Sequence, residues 1–177
     1  MLPRRRISGV QAVAEVPSFA SVVERHLDDV HAYLVYLTRD RVIAEDLTAE
    51  TFEKALRLWR RFDPRRGSAR TWLCQLARTT ALDHFRAEER RRRREGAYAL
   101  DQPQPEEGLF GGLSPELERA LAALSAGERE VIALRVLLDL DGETAARVLG
   151  ISVTACSTRL SRALKKLEER MSVDVAA

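Results

Sequence analysis

The sequence predicts an all-α protein built as two small helical domains. Apolar residues recur at three- and four-residue intervals in both halves, the spacing that lines one helix face. No segment alternates apolar and polar residues as a half-buried strand does. Between the halves Gly96, Pro103, Pro105, Gly108, Gly111, Gly112 and Pro115 crowd into a stretch without periodicity, the mark of a linker. At 177 residues the chain can hold two modest cores. Its 45% hydrophobic and 32% charged residues place it among soluble globular proteins, and no apolar run has the length of a membrane span.

The first domain is expected over residues 18–95, after a tail over 1–17. Arg4, Arg5 and Arg6 precede a mildly apolar stretch there, but Gln11 and Glu15 interrupt it, so a frayed cytoplasmic tail is expected rather than a signal sequence. Phe19, Val23, Leu27, Val30, Leu34 and Leu37 mark a first helix capped by Ser18. A second helix follows from about Val42 to Trp59, with Ile43, Leu47, Phe52, Ala55, Leu56 and Trp59 toward the core. Asp63, Pro64 and Gly67 break the pattern between Arg61 and Arg70. A long third helix starts near Thr71 and runs into the arginine tract, with Leu73, Leu76, Ala77 and Phe85 on its core side.

The linker is expected over 96–113 and the second domain over 114–172, followed by a tail over 173–177. Ser114-Pro115-Glu116 is a capping serine with proline at the first helical position. Ser125 to Glu128 has capping-box spacing and opens a helix through Val131, Ile132, Leu134, Val136 and Leu138. A short helix from Gly142 to Leu149 stops at Gly150, and Ser152 caps a last helix reaching about Met171. Helix, glycine turn and basic helix make a helix-turn-helix pattern.

The net charge of +2 hides strong segregation. From Arg57 to Arg94 thirteen arginines face only Asp63, Asp83, Glu88 and Glu89. From Tyr98 to Glu118 there are five acids and no base. A basic block suits nucleic acid and the acidic stretch suits a cationic partner. In the last helix Thr154, Ser157, Thr158, Arg159, Ser161, Arg162, Lys165 and Lys166 supply the small polar and basic side chains that a major-groove helix uses, while Leu160, Leu164 and Leu167 face its own domain. A solvated basic face fits the same residues. The loop from Arg65 to Arg70, with Trp72 and Phe85 beyond it, joins cations to aromatic rings as a groove for unstacked bases requires. Taken alone, Arg90 to Arg94 reads as a solvated helix end.

Glu45, Asp46, Glu50 and Glu53 form an acidic helix face. An enzyme would need a pocket around them, and a helical di-metal site wants Glu-x-x-His pairs, a spacing that His26, His31 and His84 do not offer. A protein-docking face is the preferred reading. No metal, cofactor or catalytic residue is expected. Cys74 and Cys156 are isolated, lack the pairing of a disulfide or zinc framework, and read as small buried hydrophobes.

The motifs Glu45-Asp-Leu-Thr-Ala-Glu-Thr-Phe52, Phe62-Asp-Pro-Arg-Arg-Gly-Ser-Ala-Arg-Thr-Trp-Leu73 and Ala77-Arg78 with Asp83 and Arg86 resemble the extracytoplasmic-function sigma factors of bacterial RNA polymerase. Leu124 to Arg135, Leu149 to Val153 and Ser161 to Leu167 are similar to the second domain of that family. The resemblance runs from about Phe19 to Glu169. It implies that Asp46, Leu47, Glu50 and Phe52 dock on the clamp helices of the largest polymerase subunit, and that the flap is a further contact. It implies that Arg65, Arg66, Gly67, Ser68, Ala69, Arg70 and Trp72, with Thr79, Asp83 and Arg86, capture and open the minus-ten element. The last helix, through Thr154, Ser157, Thr158, Arg159, Ser161, Arg162 and Lys165, would read the minus-thirty-five element, while the acidic linker enters the polymerase's RNA path.

The chain departs from the family at Thr79, where asparagine is frequent, at Ser157, where a base is usual, and at Asp141-Gly142-Glu143, where aspartate can still cap. Further expected partners are an anti-sigma factor and, through Val175-Ala176-Ala177, an ATP-dependent protease; a plain frayed end fits that terminus equally. The rival reading is a helix-turn-helix regulator that binds duplex DNA without polymerase.

Overall fold

The computed structural model describes residues 17–94 and 113–174. The expected tail apart from Pro17, the expected linker apart from Leu113, and Val175-Ala176-Ala177 lie outside the described residues. Those described contain helices and turns and no strand.

Three long helices make the first domain: α1 (Phe19–Thr38), α2 (Arg41–Leu58) and α3 (Ala69–Arg94). Ser18 caps α1 by accepting from the Ser21 amide, and Asp40 caps α2 by accepting from Ile43. Each satisfies an amide that has no helical partner of its own. The core is Val30, Leu34, Ala44, Leu47, Ala55, Leu73, Cys74 and Ala77, all nearly or wholly excluded from solvent. Thr38, Thr48 and Thr51 are buried with them because each hydroxyl donates to the carbonyl four residues earlier, Leu34, Ala44 and Leu47. A buried hydroxyl without such a partner costs on the order of 1–3 kcal/mol.

Four helices make the second domain: α4 (Pro115–Ala122), α5 (Ala126–Ile132), α6 (Gly142–Leu149) and α7 (Val153–Asp174). Ser114 caps α4, with Pro115 at its first position. At α5 the capping box is complete: the Glu128 amide reaches Ser125 Oγ, and Glu128 Oε2 accepts from the Ser125 amide at 2.9 Å. Asp141 caps α6, its Oδ1 accepting from the Thr144 amide at 2.8 Å. Gly150 ends that helix at φ 67°, a left-handed conformation that suits glycine. Between α5 and α6 the chain makes a wider π turn, Ala133–Leu137.

Several side chains expected inside are outside. Leu27, Leu56, Phe85, Val136 and Leu164 all expose more than a third of their surface. On α7 the inward face is Cys156, Leu160, Ala163 and Leu167, one step around the helix from Leu164, so small residues let α7 approach α5 and α6. At the C-terminal end of α1, Tyr33, Val35 and Tyr36 are buried along with Leu34 and Leu37, on more than one face. The second domain covers that extra surface, its α5, π turn and α6 packing on α1 and α3.

Glu128 also receives Lys166 Nζ at 2.5 Å, and this ammonium, with the Ser125 donors, holds the carboxyl down to about 2 against the opposing effect of burial. Because the folded value is depressed, the contribution is fully present above the ordinary carboxylate range and is lost as pH falls toward 2. Glu128→Gln is expected to cost roughly 1–2 kcal/mol at neutral pH. Thermal melts should show the gap between variant and parent closing between about pH 4.5 and 2.

Candidate nucleic-acid interface

The turn between α2 and α3 is held by a ring cluster. Trp59 stacks on Phe62 with centroids 4.8 Å apart and an interplanar angle of 10°. Phe19 meets Trp59 edge-on, and Trp72 leans on both Trp59 and Phe62. Short 3-10 turns, Trp59–Arg61 and Pro64–Arg66, sit over this cluster. Asp63 accepts from the Arg65 amide and pairs with its side chain at 3.1 Å, which lowers the carboxyl's pKa. Gly67 has φ 154° and ψ 168°, a combination open mainly to glycine. Ser68 then accepts from the Thr71 amide and starts α3.

The loop therefore offers cations on a rigid aromatic base. Arg65 and Arg66 are exposed and Ser68 faces water, while Gly67 and Ala69 are half-buried. Arg70 is half-buried as well and turns back to α1, its Nε giving a 2.7 Å bond to Asp29 Oδ2. Trp72, Thr79, Asp83 and Arg86 fall at helical intervals that form one stripe along α3, which Arg90 extends. Thr79, Asp83, Arg86 and Arg90 are exposed, and Asp83 pairs with Arg86 at 3.2 Å.

On α2 the four residues expected to dock on a partner separate. Asp46 and Glu50 are exposed, Glu50 pairing with Lys54 at 2.7 Å. Leu47 and Phe52 are buried in the domain core, where they position the helix but offer no outward surface. The outer face holds Glu45, Asp46, Ala49, Glu50 and Glu53, flanked by exposed Val42 and Leu56. Periodicity alone passes over Val42 and assigns Leu56 to the core. Their i, i+14 spacing on the acidic arc is the signal that could have found them.

On α7, Thr154, Ser157, Thr158, Ser161, Arg162 and Lys165 are all exposed, opposite the packing face. Arg159 is half-buried beside the start of α5, where a methyl group placed on Gly127 would stand 3.3 Å from its Nη1. A shallow groove of about 620 Å³ runs between the first turns of α5 and α7, lined by Ser125, Gly127, Ser152, Thr154, Thr158 and Arg162. Gly127 and Ser152 were not expected there.

His31 Nδ1 lies 3.3 Å from the Thr48 hydroxyl and His26 lies 3.7 Å from Asp29, both within the packing of α1. Among the described residues no three His, Cys, Asp or Glu side chains gather as metal ligands would, and no helix is long and apolar enough to cross a membrane.

Residues 22–91 match Sigma-70 region 2, and residues 114–167 match Sigma-70 region 4. The ECF RNA polymerase sigma factor SigC of Mycobacterium tuberculosis is 37% identical over 139 residues, 76% of this chain and 73% of that protein. The chain belongs to the extracytoplasmic-function sigma factors. The ECF RNA polymerase sigma factor BldN of Streptomyces coelicolor is 30% identical over 90% of this chain, which spans 62% of BldN's length. The sigma factor RpoE of Bartonella quintana, in its complex with the anti-sigma factor NepR, superposes with a TM-score of 0.77 at 25% identity. That match covers 88% of this sigma factor and 98% of the RpoE chain. Region 2 thus corresponds to the α1–α3 domain and region 4 to the α4–α7 domain.

Gly67→Ala is expected to destabilise region 2 by about 1–3 kcal/mol through backbone strain. Urea unfolding followed by tryptophan fluorescence checks it directly, since Trp59 and Trp72 lie under this turn. Burial raises the Cys156 thiol and pushes Cys74 up to about 12. Neither should react with an aromatic disulfide reagent at pH 8 until denaturant is added, because the thiolate is the reactive form.

Proposed function

We propose that this sigma factor binds core RNA polymerase through the outer face of α2 and directs it to a two-part promoter. The observation that carries the reading is the sorting of charge by face. The acidic face of α2, the arginine stripe of α3 and the polar-basic strip of α7 point away from their own cores and belong to different elements. A regulator acting on duplex DNA alone has use for α7 but none for an acidic face bracketed by Val42 and Leu56. Apolar residues around a charged centre suit a protein partner, here the clamp helices of the largest subunit.

The mechanism is binding energy spent on position. Arg65, Arg66 and the α3 stripe attract the phosphate backbone at the minus-ten element, and the Trp59, Phe62 and Trp72 cluster keeps the Gly67 turn rigid enough to hold an unstacked base. The tie from Arg70 to Asp29 makes Arg70 a brace of that turn more than a free phosphate contact. On α7, Thr158, Ser161 and Arg162 touch base edges of the minus-thirty-five element, while Thr154, Ser157 and Lys165 meet phosphates and Arg159 lines the groove beside Gly127. No bond is made or broken by the chain itself, and the polymerase supplies the chemistry in the cytoplasm. An anti-sigma factor, the partner named with RpoE, is the natural antagonist of such a protein.

In transcription reconstituted from purified core polymerase and a genomic template, defined start sites should appear only when this chain is added; their absence overturns the reading. Replacing Asp46 and Glu50 by lysine should abolish polymerase association yet leave binding to minus-thirty-five duplex intact, as judged by co-purification and anisotropy. Arg162→Ala should cost about 1–3 kcal/mol at one base pair, whereas Lys165→Ala should weaken all sequences alike and lower the salt slope by about one.

A further inference from the structure

We propose that the cavity between α1, α3 and α5 binds a small amphipathic anion, its head held by Arg39 and Arg129 and its hydrocarbon tail laid on Leu37, Ile43, Leu82 and Phe85. The site stands apart from the promoter and polymerase readings, because neither arginine lies on the faces of α2, α3 and α7 assigned to them.

The cavity holds about 670 Å³, within the range of small-molecule sites. Its walls come from the end of α1, the first turn of α2, the second half of α3 and the start of α5. Among the lining side chains Leu37 and Ala81 are buried, Ile43 and Leu82 are half-buried, and Phe85 exposes 40% of its surface. An apolar tail here would cover hydrocarbon that water now reaches, which is the main source of affinity in such sites.

The sign of the head follows from how the charged side chains of the wall are paired. Glu88, Glu89 and Glu130 line the cavity, yet each already has an arginine: Arg91 at 3.6 Å, Arg93 at 2.8 Å and Arg78 at 2.9 Å. Arg39 and Arg129 pair with no carboxylate among the described residues. Burial weakens the hold of Arg39 on its proton, and burial followed by the charge of Arg39 does the same to Arg129. An anion shared by the two guanidiniums removes their repulsion and offsets their loss of water. Arg129 Nη1 donates to the Leu124 carbonyl, while its Nε is buried without a hydrogen-bond partner. A buried donor left over at a cavity wall calls for an acceptor from outside the chain. Arg39 ends α1 at φ 60°, the left-handed conformation in which glycine is the usual residue, its amide bonded to the Val35 carbonyl. The chain thus accepts backbone strain at the position that brings a cation to this wall. A cationic amphiphile would meet two unpaired guanidiniums and carboxylates that are already engaged. Carboxylate and phosphate heads both accept the two-pronged donation of a guanidinium.

The test is calorimetric titration of the full chain with decanoate and with decyl phosphate, each below the concentration at which it forms micelles. Saturable binding at a single site is expected, the tighter of the two ligands naming the head. Octanoate, two methylenes shorter than decanoate, should bind about 10- to 20-fold more weakly, and acetate or inorganic phosphate should give no saturable heat. Arg39→Gln should weaken binding about 10-fold or more, and Ala126→Trp, at an exposed position of the wall, should block it by filling the space. Arg129→Gln should act as Arg39→Gln does; because it also loses the bond to Leu124, circular dichroism checks its fold, and Arg39→Gln, whose side chain holds nothing in the fold, carries the test if it fails. Decyltrimethylammonium binding as tightly as decanoate overturns the site, as does decanoate binding unmoved by both Arg39→Gln and Ala126→Trp. Binding to anionic vesicles without binding to either monomeric amphiphile overturns it as well and assigns the two arginines to a lipid surface. Promoter-directed transcription is read separately, so failure here leaves the proposed function untouched.

Discussion

A helix has one circumference, and α3 must divide it among three obligations. Leu73, Cys74 and Ala77 are wholly buried and hold α1 and α2 around them. Trp72, Thr79, Asp83 and Arg86 lie on a second arc, and Arg78, Leu82 and Phe85 on a third. None can be widened without narrowing another, so residues on the first arc must be small or branched while the second keeps Thr79, Asp83 and Arg86 turned to solvent. The fold of region 2 and the DNA reading proposed for it are two consequences of this one partition.

Much of the architecture around that partition is legible in the amino-acid sequence. Ser18, Ser114, Ser125, Asp141 and Ser152 mark helix starts, because a side-chain oxygen at a cap has a local job that sequence alone reveals. Gly150 and the break from Asp63 to Gly67 are legible for the same reason. The polar and basic strip of α7 also reads as an outward face, since its inward partners recur at fixed intervals.

Local spacing does not convey which neighbour each apolar residue meets. Leu56 and Leu47 look alike in a periodic pattern, yet one lies on the outer arc of α2 and the other in the core. Phe85 fits the inward pattern of α3, whereas it lines the gap between regions. Tyr33 and Tyr36 give no sign that a second domain buries them, because contacts between distant segments leave no mark in local spacing. The tie between Arg70 and Asp29 is hidden for the same reason: the residues are 41 positions apart.

The π turn after α5 stores information in length rather than in composition. There the Leu138 amide reaches the Ala133 carbonyl five residues back and Leu140 reaches Leu134, while the Arg135 side chain bonds the Leu140 carbonyl. Val136 and Leu137 bulge outward as a result. Each residue of an α-helix turns the chain by about 100°. Omitting one residue here would remove this five-residue closure, so the chain would enter α6 along a different path and shift the α7 strip proposed to read the promoter. A conservative exchange in this stretch keeps that closure, whereas a single-codon deletion, however innocuous its chemistry, would lose it.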